Sequence, residues 1–131
     1  MEKENKEILV NLQMEKAKRF LAQADEMLEL HHWDLAANRY YYACFHAVQA
    51  LFINTGINAH THAGINVQFS LHFVKTKIVD ISYGSFLARM FQLRQKADYN
   101  CAYEVSEKDV YEIVNLSHNF INVILGLISP L

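Results

Sequence analysis

The stretch WDLAANRYYYACFHAVQALF, residues 33–52, places an arginine, three consecutive tyrosines and a histidine inside an otherwise apolar segment. A helix that only fills a core does not need that arginine or that histidine. Asp34 suits the first turn of a helix, where a carboxylate meets the positive end of the helix dipole. Gly56 is a natural C-terminal stop. The sequence therefore predicts a core helix from Asp34 to about Asn54 that carries a few polar side chains.

The composition of the whole chain fits this helical core. The 131 residues are enough for one domain. They are 52% hydrophobic and 20% charged, with only four glycines and one proline, which favours a globular protein with long helices and few turns. The net charge of −2 gives no basic excess, so any RNA contact would need a local patch. No apolar run is long enough to cross a bilayer, so we expect no membrane association.

Helical spacing recurs on both sides of the core helix. One apolar stripe predicts a helix from Glu4 to Leu30 and consists of Val10, Met14, Ala17, Leu21, Ala24 and Leu28. Residues 57–64 are predicted to be a loop, and residues 82–101 resume the helical spacing. Ser106 with Asp109 resembles a capping box that opens a last helix. The chain is predicted to be all-α, an up-and-down four-helix bundle with one extra short helix.

One segment has an ambiguous pattern. Apolar residues alternate strictly with polar ones at Ile65, Val67, Phe69, Leu71 and Phe73. Alternation by itself indicates a strand. A strand needs a partner, however, and no other segment offers one. We therefore predict a short helix here.

The core helix carries a polar stripe. Arg39, Tyr42, His46 and Gln49 follow one another at steps of three and four residues, and Arg39 lies about 10 Å from His46 at 1.5 Å rise per residue. The stripe has two interpretations. It is a phosphate-binding arginine near an imidazole that titrates close to neutrality, or a partly buried polar seam between helices or across a dimer interface.

The fourth long helix carries a second candidate site. Arg94 and Asp98 form an i,i+4 pair, and Tyr99 lies beside them. One interpretation is a surface ion pair worth a few tenths of a kcal/mol. Because Arg94 adjoins an apolar face, the other is an arginine that faces a partner or a phosphate.

The histidines and cysteines do not form a recognisable metal site. Glu29 and His32 make a single ExxH, and no HExxH occurs among the seven histidines. His60 and His62 lie in the predicted loop without matching cysteines, and we interpret them as scattered loop histidines. We expect no metal and no cofactor. The two cysteines, Cys44 and Cys101, lack CxxC spacing and are predicted to be small buried thiols in a reducing cytoplasm.

Four segments follow one another along the chain: AANRYYYACFHAVQALF at 36–52, THAG at 61–64, FVKT at 73–76 and LRQKADYN at 93–100. Together they resemble the HEPN domain family, and in particular its small stand-alone prokaryotic branch. The resemblance implies an all-α bundle that forms homodimers and pairs with a minimal nucleotidyltransferase in toxin–antitoxin systems. It also settles the helix prediction for residues 62–74.

The resemblance further implies a ribonuclease signature that this chain only partly carries. In the family, an arginine on a late helix and a following histidine are separated by four to six residues, and the two act on RNA without a metal. Here Arg94 is followed by no such histidine, and Tyr99 occupies the shortest-spacing position. Arg39 and His46 satisfy the longest spacing, but on the second helix, where we interpret the count as coincidence.

The sequence leaves three functions open. The first is a non-catalytic or weakly catalytic homodimer that binds a nucleotidyltransferase and a nucleotide or RNA phosphate. In it Arg94 is the anchor, Asp98 orients the arginine and Tyr99 is modified by the partner. The second is a metal-independent endoribonuclease that uses His46 with Arg39 or with Arg94. The third is a purely structural interaction module.

Overall fold

A computed structural model describes residues 2–128, which form five helices and no strand. The helices are α1 (Lys3–Glu29), α2 (Trp33–Thr55), α3 (His62–Phe69), α4 (Ile81–Tyr99) and α5 (Glu107–Gly126). A π-helical turn, Ser70–Val74, extends α3. The prediction of an all-α bundle with four long helices and one short one is confirmed. No helix among the described residues combines the length and apolar composition needed to cross a membrane.

Helix α2 is the centre of the bundle. It packs along α1 for most of its length and also contacts α4 and α5. Eleven of its residues are buried, including Tyr40, Cys44 and Phe52. Gly56 ends the helix in the left-handed conformation, with φ of 80°, which glycine adopts without steric cost. Residues 33–52 therefore belong to the element on which the other helices assemble.

The alternating segment is helical. Ile65, Phe69 and Phe73 are buried, whereas Val67 and Leu71 are exposed. Residues four apart share one face of a helix, so every second apolar residue of the alternation lies on the core side and the others face solvent. The helix prediction for residues 62–74 is confirmed, with the π-helical turn as its second half.

The prediction of a loop over residues 57–64 was wrong for the last three residues, because α3 begins at His62. Thr61 caps this helix: its hydroxyl oxygen accepts a hydrogen bond from the backbone N–H of Gly64 at 2.9 Å. A threonine in this position satisfies one of the backbone donors that a helix start leaves unpaired. The cap therefore fixes where α3 starts and which residue opens it.

The last helix begins as predicted. The Ser106 side chain accepts from the backbone of Asp109, and the Asp109 carboxylate accepts from the backbone of Ser106, which completes the capping box.

The prediction that both cysteines are buried is half wrong. Cys44 is buried, but Cys101 is exposed, because α4 ends at Tyr99 and Cys101 lies in the connection that follows.

Candidate functional site

The tyrosine run distributes its hydroxyl groups over three different helices. The partners of Tyr40, Tyr41 and Tyr42 are, in order, Asp25 of α1, His62 of α3 and Arg94 of α4. Successive residues on a helix are turned by about 100°, so three neighbours necessarily point in three directions. Tyr40 and Tyr41 are buried, and Tyr42 is partly buried.

Arg94 is held by α2 and by its own helix. Its Nη2 donates to the hydroxyl oxygen of Tyr42 at 2.7 Å, and its Nη1 is ion-paired with Asp98. The guanidinium carbon lies 4.9 Å from the centroid of the Tyr42 ring and 5.9 Å from that of Tyr41. Cation–π contact and a carboxylate together fix the arginine in one orientation. The Nε donor is buried and has no hydrogen-bond partner among residues 2–128.

His62 is the residue that the sequence analysis missed. We interpreted it as a scattered loop histidine, but it is the first residue of α3. Its Nδ1 is hydrogen-bonded to the Tyr41 hydroxyl, and its ring stacks on Phe91 with the centroids 5.3 Å apart. Burial, and then the charge of Arg94, hold the pKa of His62 below its ordinary value, so the ring is neutral at pH 7. The signal in the sequence was Thr61, a helix-capping residue directly before the histidine.

Arg94 and His62 line one open cavity of about 260 Å³. Asp98 and Tyr99 line it too, and the Tyr99 side chain is 85% exposed. Arg94 and Asp98 also border a second cavity, of about 290 Å³, between α2 and α4. We call five residues the Arg94 centre: Tyr41, Tyr42, His62, Arg94 and Asp98.

Arg39 and His46 contact a different side chain, Phe20 of α1. The Arg39 guanidinium carbon lies 5.3 Å from the Phe20 ring centroid, and the His46 ring stacks on Phe20 at the same centroid distance. His46 Nδ1 donates to Gln13 Oε1 at 2.7 Å. We call these four residues the Phe20 cluster. Burial, and then the charges of Lys16 and Arg19, lower the pKa of His46 to about 4.

The two predicted sites are neighbours across Tyr42. The Tyr42 ring centroid lies 6.4 Å from those of Phe20 and His46, while its hydroxyl accepts from Arg94. The polar stripe of α2 therefore contacts α1 through Arg39 and His46 and α4 through Tyr42. Gln49, its last member, is partly buried, and its side chain forms no hydrogen bond within residues 2–128. His46 itself belongs to the Phe20 cluster and does not line the cavity of Arg94.

Two further histidines have partners outside the Arg94 centre. His72 Nε2 is hydrogen-bonded to Gln68 at 3.0 Å, and His118 Nε2 donates to Asp25 at 2.9 Å. Within residues 2–128, no group of three or more histidine, cysteine or acidic side chains is arranged to hold a metal ion. The Arg94 centre therefore offers two groups for chemistry, a fixed cation and a neutral imidazole, and both line one cavity.

Known proteins are similar in sequence to this chain over most of its length. A protein of Thermotoga maritima named "UPF0332 protein" is 32% identical over 126 residues, which cover 96% of each chain. Two proteins of Methanocaldococcus jannaschii are named "Putative toxin MJ0142" and "Putative toxin MJ0605". The first is 30% identical and the alignment covers 83% of this chain and 74% of the relative. The second is 34% identical, with 82% and 84% covered.

A family model described as HEPN domain matches residues 10–127. That range runs from the first buried residue of α1 to the end of α5, so it includes every helix that builds the Arg94 centre. The five-helix architecture agrees with the match. The chain belongs to the HEPN domain family.

Proposed function

We propose that this chain is a toxin-type HEPN protein that works as a homodimer with a minimal nucleotidyltransferase, which attaches a nucleotidyl group to Tyr99. Two relatives named as toxins support the first part. The observation that carries the proposal is the position of Tyr99, whose side chain is 85% exposed and lines the same cavity as Arg94.

The chemistry of such a transfer suits this position. The Tyr99 oxygen attacks the α-phosphorus of a nucleoside triphosphate held by the partner. The new O–P bond forms as the bond to pyrophosphate breaks, and the phenolic proton leaves to solvent. Arg94 can donate charge-assisted hydrogen bonds to the resulting phosphodiester. Because Asp98 is ion-paired with Arg94 in the unmodified chain, the phosphate would replace that carboxylate as the partner of the arginine.

The test is nucleotidyl transfer to the purified chain by a minimal nucleotidyltransferase encoded beside its gene. Intact mass should rise by one nucleotidyl group, and peptide mapping should place the group on Tyr99. Tyr99→Phe should abolish the mass increase, whereas Tyr111→Phe, which changes a tyrosine that is 53% exposed on α5, should keep it. A mass increase that persists in Tyr99→Phe contradicts the proposal. Sedimentation of the unmodified chain as a monomer contradicts the homodimer.

One observation favours a second function, metal-independent cleavage of RNA. The late helix lacks the family's histidine, but His62 of α3 lines the cavity of Arg94. In the tautomer whose Nδ1 donates to the Tyr41 oxygen, Nε2 of the neutral ring can accept a proton. The 2′-oxygen of a ribose would bond to phosphorus as the bond to the 5′-oxygen breaks. Nε2 would take the 2′ proton, water would protonate the leaving oxygen, and Arg94 would hold the phosphate.

RNA cleavage in EDTA by the purified chain tests this second function. His62→Ala should lower the rate about 10²- to 10⁴-fold, the contribution typical of a proton-transferring side chain. His60→Ala is the matched control, because His60 is exposed two residues earlier and does not line the cavity. Equal rates for the two variants contradict a role for His62. Absence of cleavage by the folded parent chain contradicts the ribonuclease altogether and leaves the first function standing.

A further inference from the structure

The surface where α1 meets α2 carries three cations that form no ion pair with a carboxylate of residues 2–128. They are Lys16 and Arg19 of α1 and Arg39 of α2, and we call them the cationic surface. The ion pairs among residues 2–128 join other side chains, namely Arg89 with Glu112, Arg94 with Asp98 and His118 with Asp25. In a chain with a net charge of −2, three such cations side by side are a local excess of positive charge.

The two arginines of this surface are held in place by Phe20. The guanidinium carbon of Arg39 lies 5.3 Å from the ring centroid and that of Arg19 lies 5.9 Å from it. Arg39 also donates from Nη1 to the side-chain oxygen of Asn38 at 2.8 Å. A guanidinium that rests on an aromatic ring keeps N–H groups free at its edge, where they match the oxygens of a phosphate. Less side-chain freedom is then lost on binding.

Lys16 and Arg19 face the same place as Arg39. Both are exposed, and their charges help to lower the pKa of the His46 ring, whose larger cause is burial. His46 is therefore uncharged near neutrality and adds no charge of its own, but its ring stacks on the Phe20 ring and holds it in place. The cations of α1 and α2 therefore create a positive potential around the Phe20 ring.

We propose that the cationic surface binds the phosphate backbone of a single-stranded nucleic acid. It is continuous with the Arg94 centre, because the Tyr42 ring lies between Phe20 and Arg94, 6.4 Å and 4.9 Å from them. A strand that crosses α1 and α2 would thus be led toward the cavity of His62 and Arg94. The proposal concerns binding alone and requires neither modification of Tyr99 nor cleavage by His62.

The chemistry favours a polyanion over a single small anion. Three cations on two helices can each contact a separate phosphate, and no one of them is enclosed in a cavity. Arginine prefers phosphate and carboxylate because its donors lie in one plane. A polymer with phosphates at regular spacing can contact all three cations, so we propose a nucleic acid as the ligand. The experiment must distinguish it from an acidic protein.

The experiment measures binding of fluorescent single-stranded oligonucleotides to the purified chain over a range of salt concentrations. RNA and DNA of the same sequence are compared, and the DNA arm cannot be cleaved through a 2′-hydroxyl. The logarithm of the binding constant should fall with the logarithm of salt by about 0.7 for each phosphate contact. Lys16→Glu and Arg39→Gln should each weaken binding at least roughly threefold and reduce that slope by about 0.7.

The control is Lys18→Glu, which makes the same charge change at an exposed lysine two residues away on the same helix. Lys18 lies about 200° around α1 from Lys16, so it should leave the salt slope unchanged. Circular dichroism melts verify that each variant is folded. Equal losses in Lys16→Glu and Lys18→Glu overturn the proposal, as does binding of neither oligonucleotide by the parent chain. Similar slopes for RNA and DNA support backbone recognition, and tighter binding of an acidic protein than of either oligonucleotide at the same salt concentration overturns the proposal.

Because the assay contains no nucleotidyltransferase and scores no cleavage, failure of either proposed function leaves its outcome unaffected.

Discussion

The Phe20 cluster and the Arg94 centre use the same residue types for different purposes. Each combines an arginine with a histidine and an aromatic ring, and Tyr42 touches both. In the Phe20 cluster, His46 is hydrogen-bonded to Gln13 and stacked on Phe20, and its pKa is about 4. In the Arg94 centre, His62 lines an open cavity together with the arginine.

The difference teaches that spacing along a chain does not identify a reactive pair. Arg39 and His46 have an allowed count, but both pack on α1, and His46 does not line the cavity of Arg94. Arg94 and His62 have no motif in common, yet the packing of α3 against α4 brings them to one cavity. The following predictions test whether this division of roles is real.

The largest expected difference is between two arginine variants in RNA cleavage. Arg94→Ala should lower kcat about 10²- to 10³-fold, because it removes the fixed donor to the phosphate. Arg39→Ala should leave kcat unchanged and raise KM about threefold, because it removes one backbone contact outside the cavity. Steady-state kinetics on a defined RNA separate the two effects. A loss of kcat in Arg39→Ala as large as in Arg94→Ala would break the comparison.

The next effect concerns the two aromatic rings on which the histidines stack, Phe20 under His46 and Phe91 under His62. Phe20→Ala should lower the free energy of unfolding by about 2–3 kcal/mol, because the ring fills the α1–α2 contact and carries His46. Phe91→Ala should cost less, about 1–2 kcal/mol, because Phe91 lines the open cavity. Urea denaturation with a common m-value measures both. The reverse order would mean that the Arg94 side of α2 is the more tightly packed one.

The pH dependence of stability should report His46. Its pKa is about 4 in the folded chain and about 6.5 when unfolded, so between these values the unfolded chain binds more protons. Stability is then full above pH 6.5 and falls as the pH drops toward 4. The loss should be about 1–2 kcal/mol after allowance for solvent around this half-buried ring.

His46→Asn keeps a donor for Gln13 but cannot titrate in this range. It should therefore flatten the decline in urea midpoint between pH 7 and pH 5. His62→Asn should flatten it less, since its pKa is lowered in the same direction by burial and by Arg94 at a more open site. An unchanged slope in His46→Asn would show that other groups cause the decline.

A smaller effect should come from the tyrosine that joins the two regions. Tyr42→Phe keeps the ring on which Arg94 rests but removes the hydroxyl that accepts from it, and it should cost about 1 kcal/mol. The measurement is again the free energy of unfolding. A cost near zero would mean that the ring, and not the hydroxyl, holds the arginine.

The smallest effect on stability should come from Asp98→Asn. Its ion pair with Arg94 is partly exposed, so the loss should be about 0.5 kcal/mol. The same change should strengthen binding of a nucleoside monophosphate, because it removes the carboxylate that competes for the arginine. Isothermal titration compares it with Glu112→Gln, which breaks the ion pair of Arg89. Weaker phosphate binding in Asp98→Asn would show that Asp98 positions the arginine for its ligand.

Local features of this chain were predictable from the sequence because they depend on neighbours within one or two turns. Gly56 ends α2, Ser106 with Asp109 opens α5, and Arg94 pairs with Asp98. The directions of the three tyrosines also follow from helix geometry alone. The sequence by itself thus determined an all-α bundle and the side chains that α2 presents to its neighbours.

Only the tertiary structure decided what those side chains meet. That His62 bonds to Tyr41 and shares a cavity with Arg94 depends on how α3 and α4 pack on α2. That Arg39 and His46 contact Phe20 depends on the register of α1 along α2. Contacts between helices join residues far apart in sequence, and the periodicity of one helix carries no information about which residue of another will lie opposite it.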